Sequence, residues 1–304
     1  MALIVEQLLN GLQLGVTLFL LAAGLTLVFG IMGVINLAHG SLFMIGAFAA
    51  ALVAQAAGNW WLGLLAGVAA AAAVGIVVEL VVLRRLYARD HLDQVLATFG
   101  LILFFNQGIT MLFGRQPLMV ALPAGFQGSV EVWPGIPYPT FRLLILLVGL
   151  LVAVGLYLLI QHTRIGMLVR AGATHREMVR ALGVDVRLLY TVVFGLGALL
   201  AGLAGVMAGP IGNVQVGMGE QILILTFVVV VIGGIGSVRG ALVAALLVGV
   251  VQTLLSGFVP GWLRQVMPGS EADALGSALS SMGVYVLMAV VLLVRPRGLF
   301  PAHA

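Results

Sequence analysis

Chemistry in this chain must come from very few side chains: the 304 residues hold ten acidic, fourteen basic and five histidine side chains, and no cysteine. Without thiols there is no disulfide framework, no thiolate metal site and no thiol nucleophile. No G-x-S-x-G, H-E-x-x-H or G-x-x-x-x-G-K-[ST] motif occurs, and the last is impossible because every basic residue is an arginine. The chain therefore reads as no enzyme, with neither catalytic nor metal-ligating residues and no cofactor of its own. What remains are ionisable groups inside apolar surroundings, costly there and so functional candidates. Glu79 lies about one turn from Arg84 and Arg85, which suits a structural ion pair or transport chemistry. Glu220 opens an apolar segment, where a carboxylate gains from the helix dipole alone or could gate a solute. His39 has no spaced His, Asp or Glu companion for a metal, which leaves a helix-breaking or a ligand role. The amides Asn36, Asn106, Gln107, Asn213 and Gln215 complete the set; they serve either as interhelical hydrogen bonds or as a neutral polar lining for a small polar solute.

A second concentration of polar chemistry runs from Gln161 to Arg187, QHTRIGMLVRAGATHREMVRALGVDVR, with five of the fourteen arginines. Within it, Thr174 and Glu177 have the T-x-x-E spacing of a capping box and Gly183 suits the left-handed residue that ends a helix. The expectation is a short helix of about two turns from Thr174 to Gly183. Such a helix is marginal on its own in water, so a cap at both ends implies a coupling element that keeps its shape while a soluble partner docks on it.

The elements that position these residues are apolar. The composition is 62% hydrophobic and 8% charged, against roughly a quarter charged for a soluble domain. No charge interrupts the 72 residues between Glu6 and Glu79, and the first apolar segment, lacking a basic leader, is expected to be retained as a span. Segmentation at charges, prolines and turns gives nine spans: Leu8 to Phe29, Asn36 to Ala57, Trp60 to Leu83, Val95 to Phe113, Phe141 to Ile160, Leu188 to Ala208, Ile222 to Gly236, Ala241 to Val259 and Leu275 to Val294. This is an all-α, polytopic transmembrane helical bundle, one permease-like domain over residues 1–304. Nine crossings put eleven arginines on one side and leave Arg115, Arg142 and Arg264 on the other. By the positive-inside rule the arginine-rich side, with residues 161–187 and the C-terminus, is cytoplasmic and the N-terminus lies outside. The arginines form no continuous face, so nucleic acid is not an expected partner.

Three stretches remain open. GIMGVINLAHGS, from Gly30 to Ser41, is a cytoplasmic turn or a helix broken within the membrane. The outer loop, residues 114–140, holds five prolines with Phe126, Trp133 and Tyr138; it either rests its aromatics at headgroup level or offers a docking platform. Gly11/Gly15, Gly63/Gly67 and Gly205/Gly209 match G-x-x-x-G, a spacing that permits close helix approach and that also arises by chance among 41 glycines.

GIMGVINLAHGSLFMIGAF (Gly30 to Phe48), ATHREMVRALGVDV (Ala173 to Val186), GLGALLAGLAGVMAGP (Gly195 to Pro210), GGIGSVRGALVAALLVG (Gly233 to Gly249) and RPRGLF (Arg295 to Phe300) follow one another in an order that resembles the permease subunits of bacterial ABC importers for branched-chain amino acids, closer to the H-type than the M-type. The resemblance covers essentially the whole chain. It implies a type II importer fold in the inner membrane, a second, M-type permease, two ABC ATPase subunits that bind the ATP, and a periplasmic solute-binding protein. It places the coupling helix at Thr174 to Gly183, with Glu177, Met178, Ala181, Leu182 and Gly183 toward the ATPase. Related permeases import urea and short amides. The rival outside the family is an ion-coupled secondary transporter, against which the lack of intramembrane acids argues.

Overall fold

The computed structural model describes residues 2–300, leaving aside the side chains of Ala2 and of residues 175–177. Ten α-helices, together with one 3-10 turn, make up 77% of it: α1 (Ala2–Met32), α2 (His39–Ala57), α3 (Trp60–Val81), α4 (His91–Phe113), α5 (Thr140–His162), α6 (Arg164–Ala181), α7 (Val186–Ala208), α8 (Met218–Gly233), α9 (Val238–Leu263) and α10 (Gly269–Val294). Eight are long and apolar enough to cross a membrane, and α8 is a shorter apolar helix. Of 16 residues, α8 rises about 24 Å, less than a hydrocarbon core of about 30 Å. The polar α6 is the tenth.

Helix α1 is apolar on every side and is buried on every side from Gly15 to Val28, the expected fate of a helix without a polar face. Its neighbours are α9, α7, α5 and α8. Glycines set how closely they approach. A Cβ on Gly24 would lie 2.7 Å from the Gly197 carbonyl oxygen of α7, and one on Gly46 of α2 would lie 2.6 Å from Gly202 Cα of α7. Gly11 and Gly15 sit against α9 at Val250 and Ala245, and Gly63 and Gly67 against α2 at Ala50 and Gly46, so two of the three G-x-x-x-G pairs lie at helix crossings. In the third, Gly205 meets the Phe43 carbonyl, while Gly209 faces only the Val214 side chain.

The arginine-rich end gathers as the spacing of charges implies. A 3-10 turn, Leu83–Arg85, follows α3. Arg239 at the start of α9 stacks on Tyr157 near the end of α5, 5.4 Å from the ring centroid. Beyond α10 the chain folds back, and the amides of Leu299 and Phe300 donate to the carbonyls of Ile232 and Gly233, satisfying the end of α8. At the opposite end Arg142 donates to Asn10, and Arg264 makes two bonds of 2.9 Å to Asp273.

The outer loop contains an antiparallel hairpin, β1 (Ser129–Trp133) and β2 (Ile136–Pro139), which the proline content had concealed. Gly135, at φ 79, supplies its left-handed turn residue. Ile136 and Tyr138 point inward and are buried, Phe126 packs edge-on against Trp61, and only Trp133 of the three aromatics stays exposed, at 62%.

Candidate functional site

The stretch from Gly30 to Ser41 is a break inside the bundle. Gly33, at φ 66, ends α1, and its amide still donates to Phe29. The chain then turns back beside α1. His39, the first residue of α2, brings Nε2 within 3.0 Å of where a Gly24 Cβ would lie, eight residues or about 12 Å of rise before α1 ends. Val34, Asn36, Ala38 and His39 are buried. Irregular backbone of this kind survives where protein packs against it and side chains serve it: Asn36 Oδ1 accepts from the Ala38 amide at 3.0 Å, and Gln94 Oε1 of α4 from Ile35 at 3.4 Å. Among the described residues, Asn36 Nδ2 and both ring nitrogens of His39 have no hydrogen-bond partner.

The other half of the site starts at Gly217, whose φ of 87 turns the chain into α8. Gly219 in the first turn of α8 meets Gly40 backbone to backbone. The next residue, Glu220, accepts a hydrogen bond from Asn106 Nδ2 on α4, and Asn106 Oδ1 is buried without a partner among the described residues. The Gly40–Gly219 contact sets the start of α2 against the start of α8, with the His39 ring turned toward Gly24 of α1 and Glu220 paired with Asn106 of α4. Gln107 and Asn213 are exposed, and Gln215 is half-buried in the link that leads into α8.

At the arginine-rich end, Glu79 is fully buried and sits in a hub. Arg84 reaches it with two contacts of 3.3 Å, Thr191 of α7 donates at 2.8 Å, and the Tyr87 hydroxyl donates to its other oxygen. Arg84 also donates to Thr191 at 2.8 Å. Burial, and then the Glu79 carboxylate beside it, hold the Tyr87 phenol well above its ordinary pKa. The pairing of Glu79 with Arg84 was legible from spacing, whereas Tyr87 and Thr191, 8 and 112 positions away, carried no local signal. Beside the hub, a groove of about 700 Å³ lies between Tyr87 and the residues Arg180 to Tyr190.

The coupling segment takes a different shape from the expected one. It forms an 18-residue helix, α6, capped by Thr163, whose Oγ1 accepts from the Gly166 amide at 3.1 Å. Thr174 lies in mid-helix and donates to the Arg170 carbonyl at 3.0 Å, as threonine commonly does inside a helix. The capping box at Thr174 is therefore corrected; the Glu177 carboxylate that would have completed it lies outside the described residues. The stop signal holds: Gly183 has φ 84, its amide donates to Arg180, and that of Val184 reaches Val179, the paired bonds of a Schellman ending. Around that ending Met178 and Leu182 are 63% and 77% exposed, and Ala181 and Gly183 are exposed beside them.

A bundle of apolar helices with a glycine-lined break and an exposed polar helix at one end is the architecture of a polytopic membrane protein. A family model described as the permease component of branched-chain amino acid transport systems matches residues 7–293. The chain belongs to this family. The permease is 31% identical over 306 residues to the high-affinity branched-chain amino acid transport system permease protein BraD of Pseudomonas aeruginosa, covering 97% of this chain and 94% of that protein. It is 30% identical over 308 residues to its LivH counterpart in Salmonella typhimurium, with the same coverage. The ribose import permease protein RbsC of Escherichia coli is 27% identical over 260 residues, covering 81% of this chain. No solved structure matches the permease.

Proposed function

We propose that this permease carries branched-chain amino acids inward across a bacterial inner membrane by alternating access. It pairs with a second permease, two ABC ATPase subunits that bind the ATP, and a periplasmic binding protein that delivers the solute. The observation that carries the substrate is near-full-length similarity to permeases named for branched-chain amino acids, at 31% and 30% over 97% of the chain, against 27% over 81% for the ribose permease. The arginine-rich end faces the cytosol by the positive-inside rule.

Work would enter through α6. Met178 and Leu182, exposed next to the left-handed Gly183 ending, suit a cleft on an ATPase subunit. Displacement of α6 passes through the short link to Asp185, whose carboxylate caps α7 at the Arg187 and Leu188 amides. Helix α7 is then the lever. It is tied to α3 through Thr191 and Glu79, and its Gly197 and Gly202 bear on α1 and α2. Asn36 and His39 in the break and the Asn106–Glu220 pair at the start of α8 would line the route, where unpartnered polar atoms serve a zwitterionic solute better than apolar ones.

Reconstitution with the cognate ATPases, second permease and binding protein should give ATP-dependent leucine uptake, with ribose and urea excluded. Uptake driven by an ion gradient without the ATPases would overturn the mechanism, and uptake of ribose or urea in preference to leucine would overturn the substrate.

A further inference from the structure

Between α5 and α9, at the arginine-rich end, the bundle leaves a cleft of about 650 Å³ floored by α1. Both flanking helices are largely exposed, so the cleft opens on the apolar outer surface of the chain. Leu27 and Ile31 of α1 and Leu242 of α9 make its inner walls apolar. Along α1 it extends from Phe19 to Ile31, twelve residues or about 18 Å of rise.

Its mouth has the opposite chemistry. Arg170 from α6 and Arg239 from α9 both line it and both are exposed, and Tyr157 stands under the Arg239 guanidinium. No acidic side chain lines the cleft among the described residues. Two guanidinium groups over a long apolar groove fit a ligand with an anionic head and a hydrocarbon tail. A free anion would leave the groove unused, and a neutral lipid would leave the arginines unmatched.

We infer that this cleft seats an anionic phospholipid, its phosphate between Arg170 and Arg239 and an acyl chain along Leu27, Ile31 and Leu242. The site is separate from Asn36, His39 and the Asn106–Glu220 pair, none of which lines the cleft, and does not depend on which solute is carried. Its occupant would brace α6 against α5 and α9, next to the segment that meets the ATPase.

The test uses the full chain, purified in detergent with equal amounts of dioleoyl phosphatidylglycerol and dioleoyl phosphatidylcholine and read by native mass spectrometry. The unmodified protein should retain phosphatidylglycerol in preference. Arg170→Gln and Arg239→Gln should each lower that retention about fivefold, the weight of one arginine near an anionic surface, and Leu242→Trp should reduce it by filling the groove. Equal retention of the two lipids by the unmodified protein overturns the proposal without recourse to any variant. So does undiminished phosphatidylglycerol on the doubly substituted chain, or its displacement by excess inorganic phosphate, which would mark a site for a free anion.

Discussion

Asn106 on α4 donates its amide hydrogen to the carboxylate of Glu220, 114 positions further along the chain, in the first turn of α8. Two residues that the sequence offered as separate candidates are one unit. The carboxylate is half-buried beside a helix N-terminus, where its charge is favoured. Glu220→Gln keeps the volume and an oxygen for Asn106 but removes the charge that would meet the ammonium of an amino acid. In the reconstituted importer, leucine uptake should fall about tenfold at unchanged protein level, the effect of losing a charge-assisted contact of about 1.5 kcal/mol. Uptake equal to that of the unmodified protein would remove Glu220 from the route.

Glu79 poses a different problem, since removing it leaves Arg84, Tyr87 and Thr191 without their common acceptor. Breaking a buried ion pair from one side costs about 3–5 kcal/mol. Arg84 is 32% exposed and can recover some hydration, so Glu79→Ala should cost about 2–3 kcal/mol. Tyr87→Phe, which deletes one bond, should cost about 1 kcal/mol. Thermal unfolding in detergent measures both. The double variant should lose less than the sum, because the two residues share a network; strict additivity would argue against the hub.

Glycine positions separate into those that hold helices together and those that do not. Gly46 has Gly202 Cα and its carbonyl oxygen in the space a Cβ needs, whereas Gly155 on α5 has nothing within 4 Å. Gly46→Val must part α2 from α7 and should cost at least about 3 kcal/mol, seen as loss of the folded protein from the membrane. Gly155→Ala should raise stability by about 0.5–1 kcal/mol by removing backbone entropy in mid-helix. The two results together test the packing, since a general intolerance of glycine substitution would give losses at both sites.

The sequence revealed features that follow from one local signal and hid those that need a partner elsewhere. Helix α1 was legible because it is apolar on every side, and the ending at Gly183 because one residue type suits a left-handed conformation. The hairpin was hidden by Pro137 and Pro139, which normally argue against strand; both stand at exposed positions of β2 while Ile136 and Tyr138 take the buried ones. The capping box at Thr174 misled because T-x-x-E also occurs inside helices, where the hydroxyl turns to the carbonyl one turn back. The true cap, Thr163, has Gly166 where the box needs an acid. The break at Gly33 was visible as a cluster of glycine and amide residues, but its depth depends on where Gly24 leaves room for His39, 15 positions from it in the chain.

Gly183 offers the sharpest test of coupling, because its conformation can be kept while its identity changes. Its φ of 84 is costly for a residue with a Cβ, by about 1–2 kcal/mol for alanine and less for asparagine, which adopts this region more readily. Gly183→Ala should loosen the Schellman ending. Amides of residues 182–184, bonded to Met178, Arg180 and Val179 in the structure, should then exchange with deuterium about fivefold to tenfold faster, while the apolar helices keep their protection. In the assembled importer the same variant should hydrolyse ATP while moving less leucine per ATP, since α6 would yield instead of carrying α7 with it. Gly183→Asn should restore both the exchange protection and most of the transport ratio. If alanine and asparagine behave alike, the left-handed ending does not transmit force, and the docking element must be sought in the groove between Tyr87 and Tyr190.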